Sequence, residues 1–247
     1  VANMSIIGYD PEKYYTGRGA LEALSMGVPF GEDDMAYRCN LVTIENGKMK
    51  DFAAGHITSE EGAELFKSLQ EKVTGVTFYP GVSYRNVMMF PGGKGAETYP
   101  PHDIVDEVVD NYMPNGPDAE TLMKLMVRAA DVFENHPVNI ARKAAGKNPA
   151  TTIWPWSAGK KPAMPMFCDM FGKQGAMISA VDLLFGIAAC CGMDIVKVEG
   201  ATGYLDTNYM GKAKAAVEAL QGGADFVYMH VEATDEAGHL GSIEEKI

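Results

Sequence analysis

The sequence predicts an α/β protein made of a parallel-sheet layer and a separate compact α+β unit. Apolar strand-like runs alternate with helical stretches over residues 175–231, and parallel strands need long crossover connections that are usually helical. Residues 37–134 instead mix short strands with amphipathic helices, which is typical of an α+β unit of ordinary domain size. Because 47% of the 247 residues are hydrophobic, the chain can bury a sizeable core.

The composition excludes several classes of protein. The net charge of −12 opposes binding to the phosphate backbone of nucleic acid and to anionic lipid surfaces. No apolar run approaches the roughly 20 residues that span a bilayer, and the 4 cysteines form no disulfide pattern. We therefore expect a soluble protein in a reducing, cytoplasmic setting, with no nucleic acid and no membrane partner. A local basic pocket for a small phosphorylated ligand is compatible with this charge.

Turn and capping signals mark the ends of the predicted strands and helices within the α+β unit. Asn46-Gly47 is a strong hairpin signal, and the spacing of Thr58 and Glu61 is that of a helix capping box. The predicted elements, in chain order, are strands over 37–44 and 49–52, a helix from Thr58 to Val73, strands over 76–79 and 85–90, and a helix over 118–134.

The parallel-sheet part follows from residue 175 onwards. Its predicted elements are a short strand after Gly175, a helix over 182–191, a strand over 195–198, a helix over 209–220 and a buried strand over 224–231. The stretch GATGYLD between the second strand and its helix lacks the G-x-G-x-x-G spacing, so a dinucleotide site is not predicted.

Asp235 and His239 are candidate metal ligands because they follow the last predicted strand at its carboxyl end, where open α/β sheets place ligands. A carboxylate and an imidazole four residues apart can form half of a divalent metal site. The same residues also fit an N-capping Asp and an exposed His before a helix starting near Ser242.

Three arginines are candidate anion-binding residues. Arg18 lies between two glycines before a predicted helix, where backbone amides and a guanidinium can hold an anion, although a tight turn explains the same pattern. Arg38 and Arg85 lie inside or beside predicted strands and offer forked donors to a phosphate or carboxylate. Because an interior strand position is a poor place for an unpaired charge, a structural salt bridge is the alternative for each.

Other polar residues complete the candidate site. His56 stands between a glycine and a helix cap, and is a candidate general acid or base or else a capping or solvent-facing residue. His102 and Asp103 form either an oriented imidazole or a simple turn. Both tryptophans can wall a pocket while Lys160 or Lys161 supplies the charge for a phosphate, and a hinge packed between domains is the alternative. Lys212, near a helix start, is a further candidate phosphate ligand, with a solvated lysine as its alternative.

Two stretches, GYDPEKYYTGRG at residues 8–19 and VEATDEAGH at residues 231–239, resemble the archaeal-type cofactor-independent phosphoglycerate mutases of the alkaline phosphatase superfamily. The resemblance implies part of an alkaline-phosphatase-like parallel-sheet core with an inserted α+β domain. The implied division is residues 1–33 for the first part of the core, 34–162 for the inserted substrate-gripping domain and 163–247 for the second part of the core.

The resemblance also implies an activity, that of a metal-dependent isomerase of glycolysis and gluconeogenesis. It would interconvert 3-phosphoglycerate and 2-phosphoglycerate through a phosphoserine, without 2,3-bisphosphoglycerate. Two divalent ions, usually manganese, would take part, and Asp235 and His239 would bind one of them. Zinc, cobalt and magnesium suit the same ligands.

The resemblance places the nucleophilic serine before Val1, so we expect a fragment that is inactive alone. Two other functions are weighed against the mutase. One is a related phosphotransferase or phosphatase acting on another small molecule such as homoserine. The other is a non-catalytic module that binds phosphorylated ligands.

Overall fold

The structure is a computed structural model and describes residues 2–246. The chain divides into two compact units, each treated by itself below. The mixed unit consists of Thr16–Ala23 and Val28–Lys161. The parallel-sheet unit consists of Leu24–Gly27 with the described parts of Val1–Tyr15 and Pro162–Ile247. The predicted three-part functional division of the chain stays a prediction.

Helices and short 3₁₀ turns connect the strands of both units. The helices are α1 Ala2–Ile6, α2 Pro11–Tyr14, α3 Arg18–Ser25, α4 Ser59–Gln70, α5 Ala119–Phe133, α6 Pro137–Ala144, α7 Phe167–Phe171, α8 Asp182–Cys191, α9 Tyr209–Gln221, α10 Ala233–His239 and α11 Ile243–Lys246. The strands are β1 Asp34–Glu45, β2 Lys48–Asp51, β3 Thr77–Tyr79, β4 Arg85–Pro91, β5 Thr152–Lys160, β6 Gly175–Ile178, β7 Asp194–Val196 and β8 Phe226–Met229. None of these helices is long and apolar enough to cross a membrane.

The mixed unit is built on an antiparallel sheet whose central strand is β1. This strand pairs with β2, β4 and β5, and β3 pairs with β4. Alternate residues of a strand point to opposite faces. Tyr37, Cys39 and Leu41 join the large core that also contains residues of α4 and α5. Ala36 joins a smaller cluster on the other face. Because Arg38 is two residues from Ala36 on the same strand, it lies on the same face as Ala36.

Helix α4 begins where the capping box predicts. Thr58 Oγ1 accepts a hydrogen bond from the Glu61 N–H at 3.3 Å, and Glu61 Oε2 accepts one from the Thr58 N–H at 3.0 Å. The helix ends at Gln70 rather than at the predicted Val73. The residues that follow include two β-branched side chains and Gly75, which adopts a left-handed φ of 83°.

The parallel-sheet unit contains the predicted β-α-β-α-β alternation. Strand β6 is central, with β7 and β8 parallel to it on either side. The prediction that the last strand is fully buried is wrong, because Phe226, Val227 and Tyr228 are half-buried and Met229 is 43% exposed. Within the described residues β8 pairs with β6 alone, so it is an edge strand, and the apolar run cannot distinguish an edge from a centre.

Candidate functional site

The three candidate arginines come together in the mixed unit, delivered by α3, β1 and β4. Both Arg18 and Arg85 act electrostatically on Arg38 and lower its pKa. Burial is the larger cause, since only 4% of the Arg38 side chain is exposed, and the pKa falls to about 10. Arg38 therefore remains protonated at neutral pH. We call Arg18, Arg38 and Arg85 the arginine group.

Glu22 is the carboxylate of this group. One carboxylate oxygen lies 3.1 Å from Arg18 Nε, four residues earlier on α3, and the other lies 2.9 Å from Arg38 Nε. The contact with Arg38 is an ion pair without hydrogen-bond geometry. The salt-bridge alternative for Arg38 is thus present in the structure, yet Arg18 shares the same carboxylate and Arg85 adds a third positive charge that acts on Arg38. The group is cationic, and it suits an anionic ligand.

A continuous row of rings extends from the arginine group. Arg38 Cζ lies 4.4 Å from the centre of the Trp156 ring, a cation–π distance, and the His102 ring packs edge-on against Trp156 at 5.4 Å. His102 also meets Phe52, with ring centres 6.0 Å apart. Trp156 is buried within this row, and a pocket walled by the tryptophans stays a prediction.

The row continues to the candidate proton-transfer residue. Phe52 and Tyr84 lie edge-to-face with ring centres 5.7 Å apart, and the His56 ring centre is 6.4 Å from Tyr84. Arg85 Cζ lies 5.8 Å from the same Tyr84 ring. One continuous set of contacts therefore joins the arginine group, both candidate histidines and an aromatic surface. We call Trp156, His102, Phe52, Tyr84 and His56 the aromatic row.

Asn40 supports this row and was not identified from the sequence. It is 1% exposed on β1. Its Oδ1 accepts a hydrogen bond from Trp156 Nε1 at 2.9 Å, and its Nδ2 donates to the Phe52 carbonyl at 3.2 Å. A polar residue two positions from Arg38, in the largely apolar middle of the strand, is the signal that could have revealed it, because a buried amide must be hydrogen-bonded.

Backbone strain is concentrated beside the row. Three non-glycine residues here have positive φ: His56 at 49°, Ser83 at 58° and Ser157 at 50°. His56 belongs to the row, Ser83 precedes Tyr84 and Ser157 follows Trp156. Such conformations cost of order 1–3 kcal/mol each and cluster at functional sites. Ser157 also accepts a hydrogen bond from the Arg18 N–H through its Oγ, at 3.1 Å.

His102 and Asp103 lie in a 3₁₀ turn, Pro101–Asp103. Their side chains approach to 3.6 Å between His102 Nε2 and Asp103 Oδ1, which is too long for a hydrogen bond. Asp103 is 64% exposed and orients the imidazole weakly. The ring contacts with Trp156 and Phe52 place His102 instead.

The two candidate lysines differ from each other. Lys160 is exposed at the end of β5, and its backbone carbonyl accepts a hydrogen bond from the Thr16 hydroxyl. Lys212 belongs to the parallel-sheet unit and is 1% exposed, so the solvated alternative is wrong for it. Its Nζ donates to the His230 carbonyl at 3.2 Å. Burial lowers the pKa of Lys212, and Glu232 partly offsets this effect.

His230 and Glu232 accompany Lys212 just beyond the carboxyl end of β8. His230 Nδ1 lies 3.5 Å from Glu232 Oε2. Burial lowers the pKa of His230, Glu232 opposes that change and Lys212 adds to it. His230 is therefore neutral at neutral pH. A buried ammonium beside a neutral imidazole and a carboxylate forms a second polar cluster, at a strand end where α/β sheets hold ligands.

Asp235 and His239 lie on α10 of the parallel-sheet unit. Asp235 Oδ2 and His239 Nε2 are 3.3 Å apart on one side of the helix. The alternative is wrong in making Asp235 an N-cap, because Asp235 lies inside a helix whose N-cap is Glu232. Its other two parts are confirmed, since His239 is 76% exposed and α11 begins directly after Ser242. Over residues 2–246 no three His, Cys, Asp or Glu side chains are grouped as a metal site would need. The pair converges, is well exposed and has suitable donor atoms, so it fits two ligands of a divalent ion.

The chain also matches known proteins. The family model for 2,3-bisphosphoglycerate-independent phosphoglycerate mutase matches residues 1–139. The mutase of that name from Methanosarcina acetivorans is 54% identical over 251 residues, and that from Methanothrix thermoacetophila is 51% identical over 247. Each alignment covers 100% of this chain and 63% of the relative. The chain thus spans a little under two thirds of the length of these relatives.

Solved structures agree with these matches. The PH0037 protein from Pyrococcus horikoshii superposes with a TM-score of 0.78 at 32% identity, over 99% of this chain and 58% of that one. The cofactor-independent phosphoglycerate mutase from Thermoplasma acidophilum gives a TM-score of 0.62 at 28% identity, over 93% and 62%. The resemblance inferred from the sequence is confirmed. The chain belongs to the family of 2,3-bisphosphoglycerate-independent phosphoglycerate mutases.

Proposed function

We propose that this chain supplies the substrate-gripping residues and part of the metal site of a metal-dependent phosphoglycerate mutase. The reaction is the interconversion of 3-phosphoglycerate and 2-phosphoglycerate through a phosphoserine, with no 2,3-bisphosphoglycerate. The observation that carries the proposal is the arginine group beside two histidines, in a chain of this family. A phosphoglycerate carries a phosphate and a carboxylate, and several convergent guanidinium groups are suited to bind both.

Arg18, Arg38 and Arg85 hold the anionic ends of the glycerate in this proposal. Arg38 is fixed by Trp156 and Glu22, so it presents a rigid charge, whereas the Arg18 side chain is 40% exposed and can adjust. A fixed cation and a mobile one fit a substrate that must turn between two phosphoryl transfers. The aromatic row forms an apolar wall beside the turning carbon chain.

His56 is the proposed general acid and base. When the glycerate hydroxyl attacks the phosphoserine, its proton must leave, and a neutral imidazole nitrogen is suited to accept it. In the opposite direction the same nitrogen returns the proton. His102 lies on the same row, and we assign it to contact with the substrate rather than to proton transfer.

Lys160 and Lys212 are proposed phosphate ligands. Lys212 is held in place by carbonyl acceptors and keeps its hydrocarbon stem buried, so its ammonium is a fixed charge. Asp235 and His239 would hold one of two divalent ions, with manganese the first candidate and zinc, cobalt or magnesium the others. When bound, such ions lower the pKa of a serine hydroxyl and neutralise charge on the phosphoryl group.

The alternative functions receive no support. The matched relatives are named as mutases, which favours neither a phosphotransferase for another small molecule nor a module that only binds.

A chimera tests the mutase proposal. Residues 1–247 replace the matching segment of the Methanosarcina acetivorans mutase, and conversion of 3-phosphoglycerate is followed with coupled enolase and added manganese. We expect turnover by the chimera and none by the 247-residue chain alone. A folded chimera without turnover, beside an active parent enzyme, would refute the proposal.

The metal assignment is tested separately by metal content. The chimera carrying both Asp235→Asn and His239→Asn is expected to lose about one of two bound manganese equivalents. Glu244→Gln, an exposed acidic residue on α11, is the matched control. Unchanged manganese content in the double variant would remove both residues from the site.

A further inference from the structure

Arg142 is a buried arginine with every donor nitrogen occupied, and its role was not predicted from the sequence. It lies on α6 and is 2% exposed. Its Nη2 donates to the carbonyls of Ala54 at 2.7 Å and Gly55 at 3.0 Å. Its Nη1 pairs with Glu61 Oε2 at 2.5 Å, and its Nε donates to the Asn148 carbonyl at 3.0 Å.

Asp51 binds the same turn through its N–H groups. Its carboxylate accepts hydrogen bonds from the Ala53 N–H and the Gly55 N–H, both at 2.8 Å, and from Asn148 Nδ2 at 2.9 Å. Partial burial raises the pKa of Asp51, but these hydrogen bonds outweigh burial and the pKa is lowered overall. An ionised carboxylate thus holds the donors of the turn, and a guanidinium holds its acceptors.

The turn needs such support because its backbone is unfavourable. Ala54, Gly55 and His56 are consecutive left-handed residues, with φ of 46°, 64° and 49°. Two of the three carry a Cβ, and strained conformations of this kind persist only where the surroundings enforce them. Without Arg142, the carbonyls of Ala54 and Gly55 would lose their partner and the turn could relax to negative φ.

We propose that Arg142 is the positioning residue that sets the imidazole of His56 on the aromatic row. The guanidinium enforces the left-handed turn, and the turn fixes the direction in which His56 leaves the backbone. This rests on the proposed function in one respect, that His56 transfers the proton. The geometric part, that Arg142 determines the position of the His56 ring, stands without it.

Arg142→Lys is the informative substitution, because lysine keeps the charge but its single ammonium cannot reach the four acceptors that the three guanidinium nitrogens contact. Arg128→Lys on α5, at an arginine that is 48% exposed, is the matched control. The first measurement is the imidazole NMR spectrum of the 247-residue chain. We expect the His56 signals to shift or broaden in Arg142→Lys, while His230 and His239 are unchanged and Arg128→Lys resembles the unsubstituted chain.

Turnover in the chimera is the second measurement. We expect Arg142→Lys to lower kcat by about 10- to 100-fold, as a displacement of a catalytic group by roughly 1 Å can do, with KM within about twofold. Because the effect acts through His56, Arg142→Lys added to His56→Gln should cost almost nothing more. Full additivity of the two substitutions, or unchanged His56 signals in Arg142→Lys, would overturn the proposal.

Glu61→Gln keeps the test decisive if Arg142→Lys does not fold. Glutamine preserves the capping box of α4, since Glu and Gln both serve at that position, but it removes the charge that holds Nη1 of Arg142. The His56 signals should then shift in the same direction by a smaller amount, and no shift would refute the proposal. An inactive unsubstituted chimera would count against the mutase function, while the NMR result would still decide the role of Arg142.

Discussion

The ion pair at the centre of the arginine group gives a stability prediction that can be worked out from its burial. Arg38→Met removes the contact with Trp156, which is about 0.5–2 kcal/mol for a cation–π pair. It also leaves Glu22, which is 12% exposed, with Arg18 as its remaining partner in the group. Breaking a buried pair costs about 3–5 kcal/mol, and the surviving Arg18 contact lowers this figure. We therefore expect a total loss of about 3 kcal/mol.

Adding Glu22→Gln to Arg38→Met should recover most of this loss. The double variant contains no buried unpaired charge, and replacing both members of a buried pair is often nearly neutral, so we expect it to lie within about 1 kcal/mol of the unsubstituted chain. The assay is urea unfolding followed by tryptophan fluorescence. Both tryptophans of the chain lie on β5, so the signal reports the mixed unit.

The control is Arg18→Met, which removes a solvent-screened pair and should cost less than about 1 kcal/mol. A double variant that is less stable than Arg38→Met would refute the reasoning, because it would show that Glu22 stabilises this region without its buried partner.

Three further predictions concern the rest of the chain. Thr58→Ala removes the cap of α4 and should cost about 1 kcal/mol in urea unfolding, with Thr58→Ser close to neutral. Asp118→Ala leaves the buried Tyr37 hydroxyl and two backbone N–H groups without their acceptor and should cost about 3 kcal/mol by the same assay; a loss below about 1 kcal/mol would show that water replaces the carboxylate. The pKa of His230 in the folded chain lies below its ordinary 6.5, so the unfolded chain binds more protons as the pH falls. The free energy of unfolding should therefore keep its full value above about pH 6.5 and decrease as the pH drops through the folded pKa. His230→Asn should flatten this fall in circular dichroism of the 247-residue chain between pH 7 and 5, and an unchanged slope would contradict it.

Local signals predicted most of the secondary structure, and the errors lie where neighbours decide. The capping box at Thr58 needs only residues that are close in sequence, so the start of α4 was predictable. The exposure of β8 depends on which strands flank it, and an apolar run carries no such information.

The candidate site shows the same division between local and distant information. Arg18, Arg38 and Arg85 were predicted individually. Arg18 was predicted from its place between two glycines before a helix, and the other two because an arginine in or beside a strand needs an anionic partner. Their common carboxylate, Glu22, was not predicted, because it depends on how α3 packs against β1. Arg142 was out of reach of the sequence, since it meets Gly55 across 87 positions of the chain. Residue types identify candidate cations, but the residues that position them are identified only from the fold.

Glu22 also determines how the arginine group should respond to ionic strength. Three guanidinium groups and one carboxylate leave two net positive charges, so a bare count of arginines overstates the attraction for an anion. The Glu22 carboxylate neutralises part of the arginine charge that anions from solution would otherwise neutralise, and its local concentration does not depend on the salt concentration. Affinity for a phosphorylated ligand should therefore decline with added salt less steeply than three uncompensated cations would dictate. The protein gives up some long-range attraction and gains a binding strength that is less sensitive to its ionic surroundings.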